Sequence, residues 1–194
     1  MNNIKDTLKI FDKNKYQFDK EVNLYETTQD GRASLILKSK NTLFAISLSH
    51  KNKIVVFNHK QVADWIVVEF LDDHKINLHI IELKRTITET TWQKVKSQFL
   101  GAYEHSYLLK GVFNYEVNEI LLYTAFVKDE SNLLNTTNPV MLKSTNGSSD
   151  KTSAIDWTKD AIKIKEEEKE FKHVKIKLNL KKDISTGEYE IKCN

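Results

Sequence analysis

The stretch from Val62 to Arg85, VADWIVVEFLDDHKINLHIIELKR, leaves few folds open to this chain. Two apolar, β-branched runs flank a polar turn, the pattern of a hairpin built into a sheet. Side chains alternate across a strand, so Asp64, Ile66, Val68 and Phe70 share one face. On the second run Ile76, Leu78, Ile80, Glu82 and Lys84 do the same. Facing the two apolar sets requires paired residue numbers to sum to an even value such as 146, centring the turn on Asp73. A two-residue Asp73-His74 turn gives an odd sum and sends one apolar set to the wrong face, so the even register is predicted. Asp64 and Glu82 then stand together at the end of the hairpin away from the turn.

Two carboxylates on one face repel each other unless a cation or a proton intervenes. Mg²⁺ is suited to such a pair, since it takes one or two carboxylates and fills its remaining positions with water and phosphate oxygens. Lys84 lies two residues beyond Glu82 on the same face, where an ammonium can orient a water or stabilise charge on a phosphate. Glu-x-Lys recurs at Glu167-Lys169, Glu170-Lys172 and Glu190-Lys192. Only Glu82-Lys84 closes an apolar strand, follows an Asp-led strand and precedes a capped helix. The alternative is an edge hairpin whose charges face solvent, with Lys84 neutralising Glu82.

The remaining chain reads as α/β. Asn2 to Glu26 spaces its apolar residues in a loosely helical way and is expected to give one or two helices. SLILKSK, TLFAISLS and KIVVF, between Ala33 and Phe57, predict a meander of short strands. After the hairpin, Trp92, Val95, Phe99, Ala102, Ser106 and Leu109 form a helical stripe. Thr86 with Glu89 matches a capping box, and Gly111 is placed to end that helix. NEILLYTAFV predicts another strand, from about Asn118 to Val127. Pro139 and KSTNGSSDKTS mark a loop, which divides the chain into a domain over 1–143, a linker over 144–153 and a small appendage over 154–194. In the appendage AIDWTKDAIKIKEEEKE is expected to be helical, HVKIKLNLKK is a strand, and GEYEIK returns beside it.

Composition narrows the class without naming an activity. The 194 residues suit one domain with an appendage, and 40% hydrophobic content supports a core. A net charge of +3 permits a local basic face but does not require nucleic acid. The single Cys193 rules out a disulfide framework and points to a reducing, cytoplasmic setting. No apolar run approaches the roughly 18 residues of a membrane span, and MNNIKDTLKIFDKNK lacks a signal-peptide core.

With strand, hairpin and helix in place, the segment from Lys60 to Val127 resembles the PD-(D/E)XK nuclease superfamily. The resemblance implies a restriction-endonuclease-like fold, a mixed sheet core flanked by helices, here with a small C-terminal helix and β-hairpin. Asp64 matches the Asp that opens one core strand, and Glu82 and Lys84 match the Glu-x-Lys of the next. Ala63 stands where the signature's name has proline. The resemblance implies Mg²⁺ or Mn²⁺ held by Asp64, Glu82 and the Leu83 carbonyl, with Lys84 positioning the attacking water. Gln98 is the best match to a supporting helical Gln, ahead of Gln93. Glu26 or Glu21 is a candidate for an additional upstream acid. The implied activity is hydrolysis of DNA to leave a 5′-phosphate, in restriction or phage defence, with a homodimer or partner protein setting the target.

Other residues point to less. The six histidines show no zinc spacing, and no glycine-rich phosphate loop exists among five glycines. Lys175, Lys177 and Lys181 form an alternating basic face that either solvates the tail or contacts DNA. Trp157 is a candidate for docking a partner or anchoring the tail. The rival reading of the whole chain is a catalytically inactive nuclease-fold module working within a larger nucleic-acid-processing complex.

Overall fold

The structure, a computed structural model, describes residues 4–28, 31–48, 61–72, 74–131, 157–164 and 170–192. The run KIVVF, Asp73, and the loop that includes the 144–153 linker lie outside the described residues. In chain order the elements are α1 (Ile4–Leu8), β1 (Tyr16–Thr28), β2 (Gly31–Ser47), β3 (Trp65–Phe70) and β4 (Lys75–Ile87). There follow α2 (Glu89–Phe113), β5 (Glu116–Asp129), β6 (Ala161–Lys163), β7 (Glu170–Lys177), β8 (Asn179–Lys181) and β9 (Ile184–Glu190). The strands make one mixed sheet in the order β6-β7-β5-β4-β3-β2-β9-β8, with β1 added alongside β2. The α/β class is as expected.

β3 pairs antiparallel with β4 in the even register. Trp65 faces Ile81 and Phe70 faces Ile76, each pair of numbers summing to 146. All six residues of β3 are buried, because both faces of this part of the sheet are covered. On one face Ile66, Val68, Ile80 and Leu122 pack against Trp92, Val95, Phe99 and Ala102 of α2. On the other, Trp65, Val67, Ile81 and Tyr123 meet Leu24, Leu35, Ile176 and Leu178, contributed by the curl of the sheet itself. Each large apolar side chain fully buried in these two cores contributes roughly 1.5–3 kcal/mol. α2 then carries the chain from β4 to β5, which run parallel, as a helical crossover requires.

The curl has a definite origin. β7 pairs with β5, β8 pairs with β9, and β9 runs parallel to β2. β7 and β8 are separated by Leu178 alone, whose amide donates to the Phe126 carbonyl at 2.7 Å. One bent stretch therefore reaches from β5 near one end of the sheet to β9 near the other and folds the sheet over its second core.

Several expectations are corrected here. Among the described residues the amino-terminal region is helical only over α1; Tyr16–Thr28 is a strand whose alternation is broken by a bulge between Asp19 and Glu21. SLILKSK and TLFAISLS are one continuous strand, β2, rather than two. The segment expected as an appendage contributes β6–β9 to the same sheet. Of AIDWTKDAIKIKEEEKE, residues 154–156 and 165–169 lie outside the described residues; Trp157 and Thr158 are helical, and the chain then becomes β6, because Ile162 and Ile164 alternate into the helix-side core. HVKIKLNLKK is divided between β7 and β8, and GEYEIK does return as β9. α2 is capped by Thr88, whose hydroxyl accepts from the Thr91 amide in a reciprocal box, not by Thr86 and Glu89. It ends at Asn114 in the left-handed conformation rather than at Gly111, around which a side chain would meet open space.

Candidate functional site

Asp64 directly precedes β3, and Glu82 lies across from it on β4. The alternation that buries Ile66, Val68, Ile80 and Leu78 against α2 directs both acidic residues to that same face. They are tied by two reciprocal bonds. The Asp64 amide donates to Glu82 Oε2 at 3.1 Å, and the Leu83 amide donates to Asp64 Oδ2 at 2.8 Å. Lys84 Nζ pairs with Glu82 Oε1. Glu82 is fully buried, so this is no solvent-facing edge of charges, although the Lys84 pairing anticipated by that alternative is present.

The electrostatics follow from burial and crowding. Burial and the neighbouring Asp64 charge raise the Glu82 carboxyl well above the usual carboxylate range; Lys84 opposes this and Glu26 adds to it. For Lys84, burial alone would lower its affinity for a proton, but Glu82, Asp64 and Glu26 outweigh it and raise it. The ammonium therefore stays charged at neutral pH. Glu26, on β1, acts on both groups, whereas Glu21 lies in an exposed pair with Lys38 at 3.4 Å. Of the two upstream acids considered, Glu26 is the one brought to the cluster.

Gln98 supports the site from behind. Its backbone carbonyl accepts from the Ala63 amide at 3.0 Å, and its side-chain amide donates to the Val62 carbonyl at 3.4 Å. Its hydrogen bonds thus go to the two residues before Asp64, not to the carboxylates. One turn on, a Cβ on Gly101 would stand 2.1 Å from the Gln61 carbonyl oxygen. The absence of a side chain lets α2 press against residues 61–63 and aim Asp64. Gln93 is exposed, and its carbonyl accepts from Ser97 at 3.3 Å.

The tail lysines do not form the expected face. Lys175 donates to the Trp157, Thr158 and Lys159 carbonyls at 3.2, 3.2 and 3.3 Å, where Trp157 and Thr158 are helical. Lys177 lies 5.2 Å over the Phe126 ring, and Lys181 is exposed on β8, toward the other end of the sheet. Lys175 and Lys177 share one face of β7, but Lys181 belongs to a different strand pair. Trp157 is an anchor: it is buried, donates to Asp129 Oδ2 at 2.9 Å and packs on Trp92.

Two buried polar groups escaped the sequence reading. Inside the curl, Glu69 accepts from Ser39 at 2.5 Å, Asn77 at 2.9 Å and Asn41 at 3.1 Å, with His79 Nε2 at 3.4 Å. His79 Nδ1 in turn meets the Tyr123 hydroxyl at 2.9 Å. The available signal was a lone glutamate in the six-residue buried run WIVVEF. On the helix side, Thr124 is in register with Glu82 and its hydroxyl bonds His173 at 2.9 Å. Burial, aided by Lys175, lowers the His173 imidazole to about 3, which leaves it neutral at physiological pH.

Among the described residues no group of three or more His, Cys, Asp and Glu side chains is arranged to hold a metal ion. The two linked carboxylates nevertheless fit Mg²⁺ chemistry, which needs no more than one or two from the protein. Among the described residues no helix is long and apolar enough to cross a membrane. Comparison with protein-family models, with curated proteins and with solved structures finds no match to this chain.

Proposed function

We propose that this chain is a Mg²⁺- or Mn²⁺-dependent endonuclease of the PD-(D/E)XK kind, hydrolysing DNA phosphodiester bonds. The observation that carries the reading is the Asp64–Glu82–Lys84 cluster. A fully buried glutamate is bonded to the amide of one acid and paired with one lysine at the mouth of a sheet. Burying such a group is costly, and a chain with no use for it is better served by an apolar residue. Asp64, Glu82 and the Leu83 carbonyl are the groups that would hold the cation. When bound, the cation supplies Lewis acidity and an acidified water. Lys84, held charged beside Glu82, orients the attacking water and stabilises negative charge on the phosphate, while Gln98 and Gly101 fix the approach of Asp64. Target choice in restriction or defence is assigned to a homodimer contact or a partner protein.

The inactive interaction module remains the second reading, and one observation favours it. Glu82 is already neutralised by Lys84 and enclosed, so the pair is self-sufficient as a structural element. The two readings separate in a plasmid-nicking time course with Mg²⁺, Mn²⁺ or EDTA. Metal-dependent nicking that is lost in Glu82→Gln supports the nuclease; no nicking beside calorimetrically silent metal titrations supports the module.

A further inference from the structure

Acids outnumber the cation that pairs with them at the candidate site. Glu26, Asp64 and Glu82 gather around the Lys84 ammonium, an arrangement that does not attract a phosphate backbone by itself. Lys175 and Lys177 are engaged by backbone carbonyls and by Phe126. Base stacking offers a nucleic acid a contact other than charge. Such a contact is present one residue away. Tyr25 immediately precedes Glu26 and is 56% exposed. Its backbone carbonyl accepts from Trp65 Nε1 at 3.2 Å, and its ring meets the Trp65 ring edge-on, with centroids 5.6 Å apart at 65°. Trp65 is itself buried and immediately follows Asp64. Tyr25 is thus an aromatic ring open to solvent yet held by Trp65, the two residues being next in the chain to Glu26 and Asp64.

We infer that Tyr25 is a stacking platform for an unpaired nucleobase, and that the nucleic acid handled at this site is single-stranded where it meets the protein. A paired base inside a duplex has both faces covered by its neighbours and offers none to a tyrosine. An unpaired base does, and stacking is indifferent to sequence and far less sensitive to salt than phosphate contacts. This inference rests on the nuclease reading for the identity of its ligand, but its test does not depend on cleavage. DNA and RNA present the same base faces, so the platform alone does not choose between them.

The experiment is fluorescence anisotropy of one labelled oligonucleotide, offered as single-stranded DNA, as single-stranded RNA and as a DNA duplex, in EDTA. The full chain should bind at least one single strand more tightly than the duplex, and the better of the two names the sugar preferred. Tyr25→Ala should weaken single-strand binding by roughly 5- to 150-fold, the range for losing one stacked base. Tyr25→Phe, which keeps the ring, should bind as the native chain does and serves with circular dichroism as the folding control. Unchanged single-strand binding in Tyr25→Ala, tighter binding of the duplex, or no binding to any of the three overturns the inference. Tyr25-dependent binding with no cleavage after adding Mg²⁺ upholds the platform and removes the nuclease. Cleavage of duplex at full rate by Tyr25→Ala removes the platform and upholds the nuclease.

Discussion

Glu69, enclosed by the curl of the sheet, allows a stability prediction with a number attached. Burial alone would raise its carboxyl from 4.5, but His79, Ser39 and Asn77 hold it down at about 2. A folded-state value below the unfolded one stabilises the fold above about pH 4.5 and is lost as pH falls toward 2. The linkage is worth about 3 kcal/mol at neutral pH and still about 3 kcal/mol near pH 5, but only about 1.4 kcal/mol near pH 3. Glu69→Gln keeps the shape, removes the charge and sets an amide donor against either Asn77 or the Ser39–Asn41 side. Urea unfolding of both proteins at stepped pH gives the stability gap between them. That gap should shrink by roughly 2 kcal/mol between about pH 5 and pH 3. A gap that stays constant over this interval would mean that packing, not the ionised carboxylate, accounts for what Glu69 contributes.

At the candidate site, Glu82→Gln preserves volume in a closed space and should lose both metal binding by calorimetry and nicking, whereas Lys84→Met should keep metal and cut far more slowly. Retained nicking in Glu82→Gln would move the activity elsewhere. Gly101→Ala forces a Cβ against the Gln61 carbonyl, so it should destabilise by about 1–3 kcal/mol despite alanine's better helix propensity, measured by denaturant midpoint. Activity in Gly101→Ala should fall further than stability explains, because residues 61–63 lead into Asp64. Lys175→Met should lower thermal stability by freeing the Trp157–Lys159 carbonyls while leaving the salt dependence of nucleic-acid binding unchanged; a flattened slope would restore a phosphate contact for Lys175.

The hairpin was legible because its pattern is redundant. A one-residue slip would have exposed Ile66, Val68, Ile80 and Leu78 together, so four residues agree on the register that brings Asp64 to Glu82. The stripe of α2 was legible for the same reason, and all six of its residues are buried. β1 was not, because the bulge after Asp19 shifts the phase: Phe18 falls on one side of it and Val22 and Leu24 on the other. Read through that break, an alternating strand imitates helical spacing. The lysines of β7 misled for a different reason. Alternation locates a side chain on a face but says nothing about backbone carbonyls 16 to 18 residues away that satisfy it. Glu69 and His79 are of this kind too, their partners coming from β2, β4 and β5.

The bent stretch formed by β7 and β8 also sets a timetable. Arg32 on β2 has its parallel partner at Ile184 on β9, 152 positions later in the chain. At ribosomal rates of about 5–20 residues per second, the first half of β2 waits roughly 8–30 seconds for that neighbour. Until then Leu35 and Leu37 have no lid from the carboxyl-terminal strands, and one edge of β2 is an open template for another nascent chain. Such distant pairing also makes refolding in vitro slow relative to α2 and the β3–β4 hairpin, whose contacts are local. The hazard of this architecture is thus concentrated in the interval between synthesis of the first hairpin and arrival of the last, when a holdase or low expression temperature matters most.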